Sequence, residues 1–421
     1  MLIAMIALLI LTLLSTSLVH ADDYKLIKKW GSHCKLKTYS GCIDPDGSGP
    51  LQQGDGQFNR PGDIALDPLS NVVYVVDNLN GRIQKFDTDG KFITKWGSNG
   101  TDNGQFIVPG EISIDPSSRV VFVVDTDNDR IQKFDSDGKF ITKWGSHCKL
   151  RTGSGCIDPD GSGPLQQGDG QFDHPGDVAL DSSGELLYVT DSRNNRIQKF
   201  DSDGKFITKW GSQGIMDGKF DFPTGLAVDY LGRNIYVADS KNDRIQKFDS
   251  DGKFITKWGS HCDFSTGSGC IDADGSGPLQ KGDGQFNAPR GVFVDSTGKL
   301  VYAVDITNDR IQKFDSNGKF ITKWGSSGTK RGEFNTIGGI AGIGLASASS
   351  GGLFVDSSSV VVYVADKEND NVQVFARTPT TNSHNYDFAN TLVIAFVILV
   401  GAVIIFKIIK SIRTQKTELI D

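Results

Sequence analysis

The stretch RIQKFDTDGKFITKWGS, Arg82–Ser98, decides the architecture, because it returns almost unchanged at Arg130–Ser146, Arg196–Ser212, Arg244–Ser260 and Arg310–Ser326. A repeat at fixed period fixes the fold class before any single residue is weighed. In RIQKF and in KFITKW apolar and polar residues alternate, and Asp-Gly or Asn-Gly stands between them. Alternation on both sides of a turn that tolerates positive φ is a β-hairpin.

Working outward, each hairpin is preceded by two more apolar strands ending in Asp, such as IALD (Ile64–Asp67) and VVYVVD (Val72–Asp77), and by a Gly-x-Phe element, GDGQF at Gly54–Phe58. Four short strands per unit is the pattern of a β-propeller blade. Opening strands read at Ile64, Ile112, Val178, Leu226, Val292 and Leu353 give six units. The sixth stops after NVQVF (Asn371–Phe375), and its missing fourth strand is YKLIKKWGS (Tyr24–Ser32) at the other end of the chain. The N-terminal strand is therefore expected to complete the last blade and remove the open edges. Thr336–Gly352 reads as an irregular loop.

The elements DNLNGR (Asp77–Arg82), DTDNDR (Asp125–Arg130), DSRNNR (Asp191–Arg196), DSKNDR (Asp239–Arg244) and DITNDR (Asp305–Arg310) complete a pattern that resembles the NHL-repeat family. The resemblance covers Tyr24–Phe375 and implies an all-β, six-bladed propeller. The sixth unit departs from it, with Asn371 where the arginine is expected. The arginines read as partners of the repeated Asp that fix the loop between second and third strands, rather than as ligand-binding groups. Trp96, Trp144, Trp210, Trp258 and Trp324 read as packing residues of the outer strands.

The ends carry their own signals. Residues 1–21, with the apolar run Leu2–Leu18 and Val19-His20-Ala21 before Asp22, read as a secretory signal peptide. The propeller is expected over 22–376 and a polar stalk over 377–387. One transmembrane helix is expected over 388–409, and a basic cytoplasmic tail over 410–421. This makes the chain a single-pass protein of the plasma membrane with its propeller outside. Asn99-Gly100-Thr101 is a glycosylation sequon. The net charge of −7 offers no basic face for nucleic acid.

A second period overlies the first. Successive tryptophans from Trp30 to Trp324 are 66, 48, 66, 48 and 66 residues apart, so alternate junctions carry an insertion of 18 residues. All six cysteines lie in these insertions, as Cys34/Cys42, Cys148/Cys156 and Cys262/Cys270. The even number, the fixed spacing and export favour three local disulfides. A zinc alternative would add the adjacent His33, His147 and His261.

After each second cysteine comes a loop with oxygen side chains at positions 1, 3, 5 and 12 and Gly at 6, the spacing of an EF-hand calcium loop. The candidate calcium ligands are Asp44, Asp46, Ser48 and Asp55; Asp158, Asp160, Ser162 and Asp169; and Asp272, Asp274, Ser276 and Asp283. The competing reading is a series of Asx and Gly turns without an ion. Where Gly225, Gly291 and Gly352 precede an innermost strand, the first three units have Asp63, Glu111 and Asp177, expected as an acidic arc at one mouth of the central channel.

Two function classes follow. One is a non-catalytic module that presents the three loops to an extracellular protein or glycan. The other, implied by the family resemblance, is an enzyme of the amidating-lyase or lactonase type that uses the channel. Nearly every polar group recurs three or five times, whereas a catalytic site needs unique, convergent residues.

Overall fold

A computed structural model describes residues 24–34, 54–343 and 361–377, except 68, 116, 149–150, 154, 156–167, 230 and 263–281. Six four-stranded antiparallel sheets form the blades of a β-propeller. Blade 1 consists of Pro61–Asp67, Val72–Asp77, Arg82–Asp87 and Phe92–Trp96, in that order from inside to outside, and blades 2 to 5 repeat it. The six first strands touch one another in a closed circle, blade 6 against blade 1 included.

Blade 6 is built from both ends of the chain. Tyr24–Trp30 pairs antiparallel with Asn371–Arg377, Lys25 opposite Ala376 and Trp30 opposite Val372. Arg377, expected as the first stalk residue, instead ends this strand opposite Tyr24. The rest of the expected stalk, helix and tail, and the signal peptide, lie outside the described residues. Among the described residues no helix is long and apolar enough to cross a membrane.

One expectation for blade 6 fails. Its innermost strand is Ile337–Ile343, not a strand at Leu353, so 337–343 is not loop. The cause is a frame anchored upstream. Phe334 bridges to Ser327, and the Asn335 N–H donates to Asp366 Oδ1 at 2.9 Å, as the Asn59 N–H donates to Asp77 at 2.8 Å. Counting on from that phenylalanine puts Ile337 where Pro61 stands, and Ile340 opposite Val364 as Ile64 is opposite Val75. The segment GLFVD at 352–356 resembles GVFVD at 291–295 and draws a sequence reading to the wrong copy. Gly339, not Gly352, therefore matches Gly225 and Gly291; Gly352 and Leu353 lie outside the described residues.

The second strands are apolar at nearly every position because both of their faces are covered. Val73 and Val75 pack toward blade 6, while Val72, Tyr74 and Val76 pack with Phe106, Ile112 and Phe134 of blade 2. Each of the six apolar clusters straddles two neighbouring blades in this way. At the outer edge, the tryptophan of one blade covers the hairpin glycine of the next. A Cβ on Gly90 would lie 2.7 Å from the Trp30 ring, and one on Gly252 2.5 Å from Trp210. These glycines also hold φ near +80°, which a turn next to a packed indole requires. The tryptophans are thus interblade packing residues. In the last junction Trp324 meets Tyr24 instead, stacked at 4.2 Å with 13° between the rings.

Candidate functional face and channel mouth

The loops between second and third strands, and the connections from each fourth strand to the next blade, share one face. The first carboxylate of each Asp-x-x-Asn-x-Arg element organises that sharing. Asp77 accepts from Arg82 Nε at 2.6 Å, from the Asn59 N–H and from Asn80, and is wholly buried. Arg82 Nη2 donates to the carbonyls of Gly54 and Gln57, and Gln84 Nε2 donates to Gln57 O at 2.6 Å. The pair therefore clamps the Gly-x-Phe turn, and a buried arginine with these partners is not displayed to a ligand. Burial pushes the carboxyls of Asp77, Asp125, Asp239 and Asp305 above the usual range and that of Asp191 to about 6, against the pull of the arginines. In blade 6, with Asn371 in place of arginine, Asn369 and Gln373 donate to Asp366 at 2.8 and 2.9 Å. The glutamine of RIQKF is a frame residue that sequence reading passed over, although its constancy at a polar position in five copies was the available signal.

The same asparagine ties the insertions down. Asn80, Asn194 and Asn308 donate through Nδ2 to the carbonyls of Cys34, Cys148 and Cys262 at 2.7, 2.7 and 2.8 Å. These three cysteines are wholly buried, and no free cysteine occurs among the described residues. Cys42, Cys156 and Cys270 lie outside them. Each insertion leaves and returns at one point, pinched by the bridges His33 to Phe58, His147 to Phe172 and His261 to Phe286. Short junctions make the same bridge, from Asn99 to Phe106 for example, so the insertions are additions to a shared frame.

Of the candidate calcium ligands, Asp55, Asp169 and Asp283 are placed, and the other nine lie outside the described residues. The three form ion pairs with Lys95, Lys209 and Lys323 of the same blade's outer strand. Asp217, in a junction without an insertion, makes the same pair with Lys257 at 2.6 Å. The twelfth position of the calcium pattern thus coincides with a residue of the repeated frame. The histidines beside the first cysteines pair with carboxylates: His33 Nδ1 with Asp370 at 2.6 Å, His147 with Asp129 at 2.8 Å and His261 with Asp243 at 2.8 Å.

Asp63, Glu111 and Asp177 stand on the same face, at the starts of the first strands of blades 1, 2 and 3. A β-bulge between Pro61 and Ile64, repeated in every blade, turns this position. First strands are sheet edges, and these acids supply acceptors that the edges lack. Asp63 Oδ2 accepts from the Ile112 N–H of the next blade at 3.0 Å, and Asp177 Oδ2 from the Leu226 N–H at 2.6 Å. Asp63 also shares a hydrogen bond with Glu111. Burial raises the Asp63 carboxyl to about 6. Burial, then the charges of Asp63 and Asp177, raise Glu111 well above its usual range, and burial raises Asp177 likewise.

Two cations at this mouth were not singled out from sequence. Arg290 Nη2 lies 3.8 Å from Glu111 Oε1, and Lys367 is lowered to about 8 by burial and then by the charges of Arg290 and Arg60. Arg290 is the second residue of the opening strand of blade 5, where blades 1 to 3 have glycine, and that break in the repeat was the signal. The mouth combines acids raised by burial with cations, a mixture suited to a polar ligand or to proton transfer.

Comparison with known proteins supports the architecture. The family described as "6-bladed beta-propeller" matches residues 64–145 and 178–277. A structural genomics protein of unknown function from Bacteroides thetaiotaomicron superposes with a TM-score of 0.53 at 17% identity, over 85% of this chain and 76% of that one. A nidogen/laminin complex structure gives 0.41 at 17% identity, over 62% and 79%, and a streptogramin B lyase 0.44 at 13%, over 77% and 85%. Likenesses as loose as the last two bear on neither a ligand nor a reaction. The chain is an all-β, six-bladed propeller.

Proposed function

We propose that this chain is a cell-surface propeller of the NHL type acting as a non-catalytic binding module. On this reading a single transmembrane helix holds it at the plasma membrane, and three disulfide-stapled, calcium-ordered loops face an extracellular protein or glycan. One observation carries it: the bases of the three insertions are fixed to one face by the same Asn–carbonyl bond in three alternate junctions. Three identical mounts suit a repetitive partner, because linked sites gain avidity of about 10²–10⁴ over a single one.

The test displays the full-length protein on cells and measures binding to panels of immobilised extracellular proteins and glycans. Each insertion is then replaced by the short connection that follows Trp96. Expected is a stepwise fall in apparent affinity, about 100-fold or more once two loops are lost. Binding that survives replacement of all three loops refutes the reading. A second reading, an enzyme working at the channel, is favoured by the raised acids Asp63, Glu111 and Asp177 beside Arg290. It requires that Glu111→Gln abolish turnover of an ester or lactone substrate while loop replacement leaves turnover intact.

A further inference from the structure

The three-fold pattern breaks at the junction of blades 2 and 3. Asp129 follows the turn after the second strand of blade 2, His147 follows the fourth strand, and Asp173 precedes the first strand of blade 3. One ligand atom from each lies within 4.8 Å of the other two. In the sibling junctions these places hold Asp370, His33 and Asn59, or Asp243, His261 and Asn287. Only here is the amide replaced by a carboxylate.

That carboxylate is placed as a ligand would be. The Asp173 side chain is 4% exposed and accepts no hydrogen bond among the described residues; Arg193 Nη1 stands 3.6 Å away. Arg193 offsets part of its charge, as Lys241 does for Asp221 at 4.0 Å in the next junction, but among the described residues only here does a histidine–aspartate pair stand beside the carboxylate. The backbone holds all three groups. The Asp173 N–H donates to Asp191 at 2.8 Å, the His174 N–H donates to the second oxygen of Asp129 at 2.6 Å, and His147 is bridged to Phe172. His147 is 48% exposed, which leaves a way in from solvent.

We propose that Asp129, His147 and Asp173 bind one divalent transition-metal ion, zinc being the class that one imidazole and two carboxylates suit. Zinc–ligand distances of about 2.0–2.2 Å separate tetrahedral ligand atoms by roughly 3.3–3.5 Å. The His147–Asp129 contact of 2.8 Å therefore opens slightly, within the 4.8 Å that bounds all three ligand atoms. The ion displaces the proton shared by His147 and Asp129, and solvent or a ligand group takes the remaining position. The His174 N–H on Asp129 orients that ligand from behind. Bound there, the ion ties both ends of the second insertion to blade 2, which the other insertions lack.

The full-length protein, stripped with chelator, is titrated with Co²⁺ while visible d–d bands are followed, and Zn²⁺ affinity is read by competition with a chromophoric chelator. Expected is one equivalent with a tetrahedral cobalt spectrum. Asp173→Asn, which copies the sibling junctions and so keeps the fold, is expected to weaken zinc binding by about 100-fold, and His147→Gln to do the same. His261→Gln, in a junction without the third carboxylate, is expected to change nothing. The proposal is overturned if the wild-type protein binds no zinc, if Asp173→Asn binds as tightly as wild type, or if His261→Gln loses as much as His147→Gln.

Discussion

Replacing Tyr24 by alanine tests whether the N-terminal strand holds the ring shut. Tyr24 is 9% exposed, stacks on Trp324 at 4.2 Å, and its hydroxyl shares a 2.9 Å hydrogen bond with that of Tyr302. Truncating a buried aromatic costs about 3–5 kcal/mol, a range that includes roughly 1 kcal/mol for the stacked pair. The Tyr302 hydroxyl also loses a partner, which costs about 1 kcal/mol or more. Tyr24→Phe, which removes only the hydroxyl bond, is expected to cost about 1 kcal/mol. The assay is urea unfolding of the span 24–377, followed by tryptophan fluorescence. A midpoint for Tyr24→Ala within error of wild type would mean that the ring is closed by something other than this strand.

Further predictions rest on other parts of the frame. Arg310→Leu leaves Asp305 buried beside an apolar side chain and is expected to lower stability by about 3–5 kcal/mol in the same assay. Gly252→Ala brings a methyl group to 2.5 Å from Trp210 at a φ of +82° and is expected to cost at least about 1–3 kcal/mol by thermal unfolding. Because Asp63 is raised from 3.8 to about 6, the folded state holds a proton in that window that the unfolded chain releases. Stability therefore falls as pH rises from about 4 to about 6, by on the order of 2–3 kcal/mol, and Asp63→Asn is expected to flatten that slope. If the insertions bind calcium, then freeing Asp55, Asp169 and Asp283 by Lys→Met at Lys95, Lys209 and Lys323 should raise calcium affinity, measured calorimetrically.

Much of this fold is legible in one sequence, because each blade repeats the strands that pack its neighbours. The count of six, the borrowed strand Tyr24–Trp30 and the interblade tryptophans follow from period and alternation. What misled was local likeness: GLFVD at 352–356 copies a strand by composition, while blade 6 is set by Phe334 and Asp366, whose constraint is a matter of spacing. The site was legible only where it repeats. Asp63, Glu111 and Asp177 stood out against glycines, but Arg290 and Lys367 are single departures, and Asp173, which recurs as Asp221, meets a histidine at one junction alone, so their meaning depends on which blades adjoin. Asp55 shows the converse, since a metal-loop spacing and a turn of the frame share one residue.

Tyr24 takes the position that a hairpin glycine fills in the other five junctions, against Trp324. This substitution bears on assembly during synthesis. Five fourth strands with the sequence FITKW are made before the third strand of blade 6, Asn371–Arg377, leaves the ribosome, and each is a competitor for its open edge. Only the N-terminal strand brings a tyrosine that fills the groove beside Trp324, so the correct ends find each other by shape rather than by order of arrival. A chain that lacks Tyr24–Trp30 would keep its vacant edge and take a fourth strand from another copy, turning a closed monomer into a strand-exchanged chain of rings.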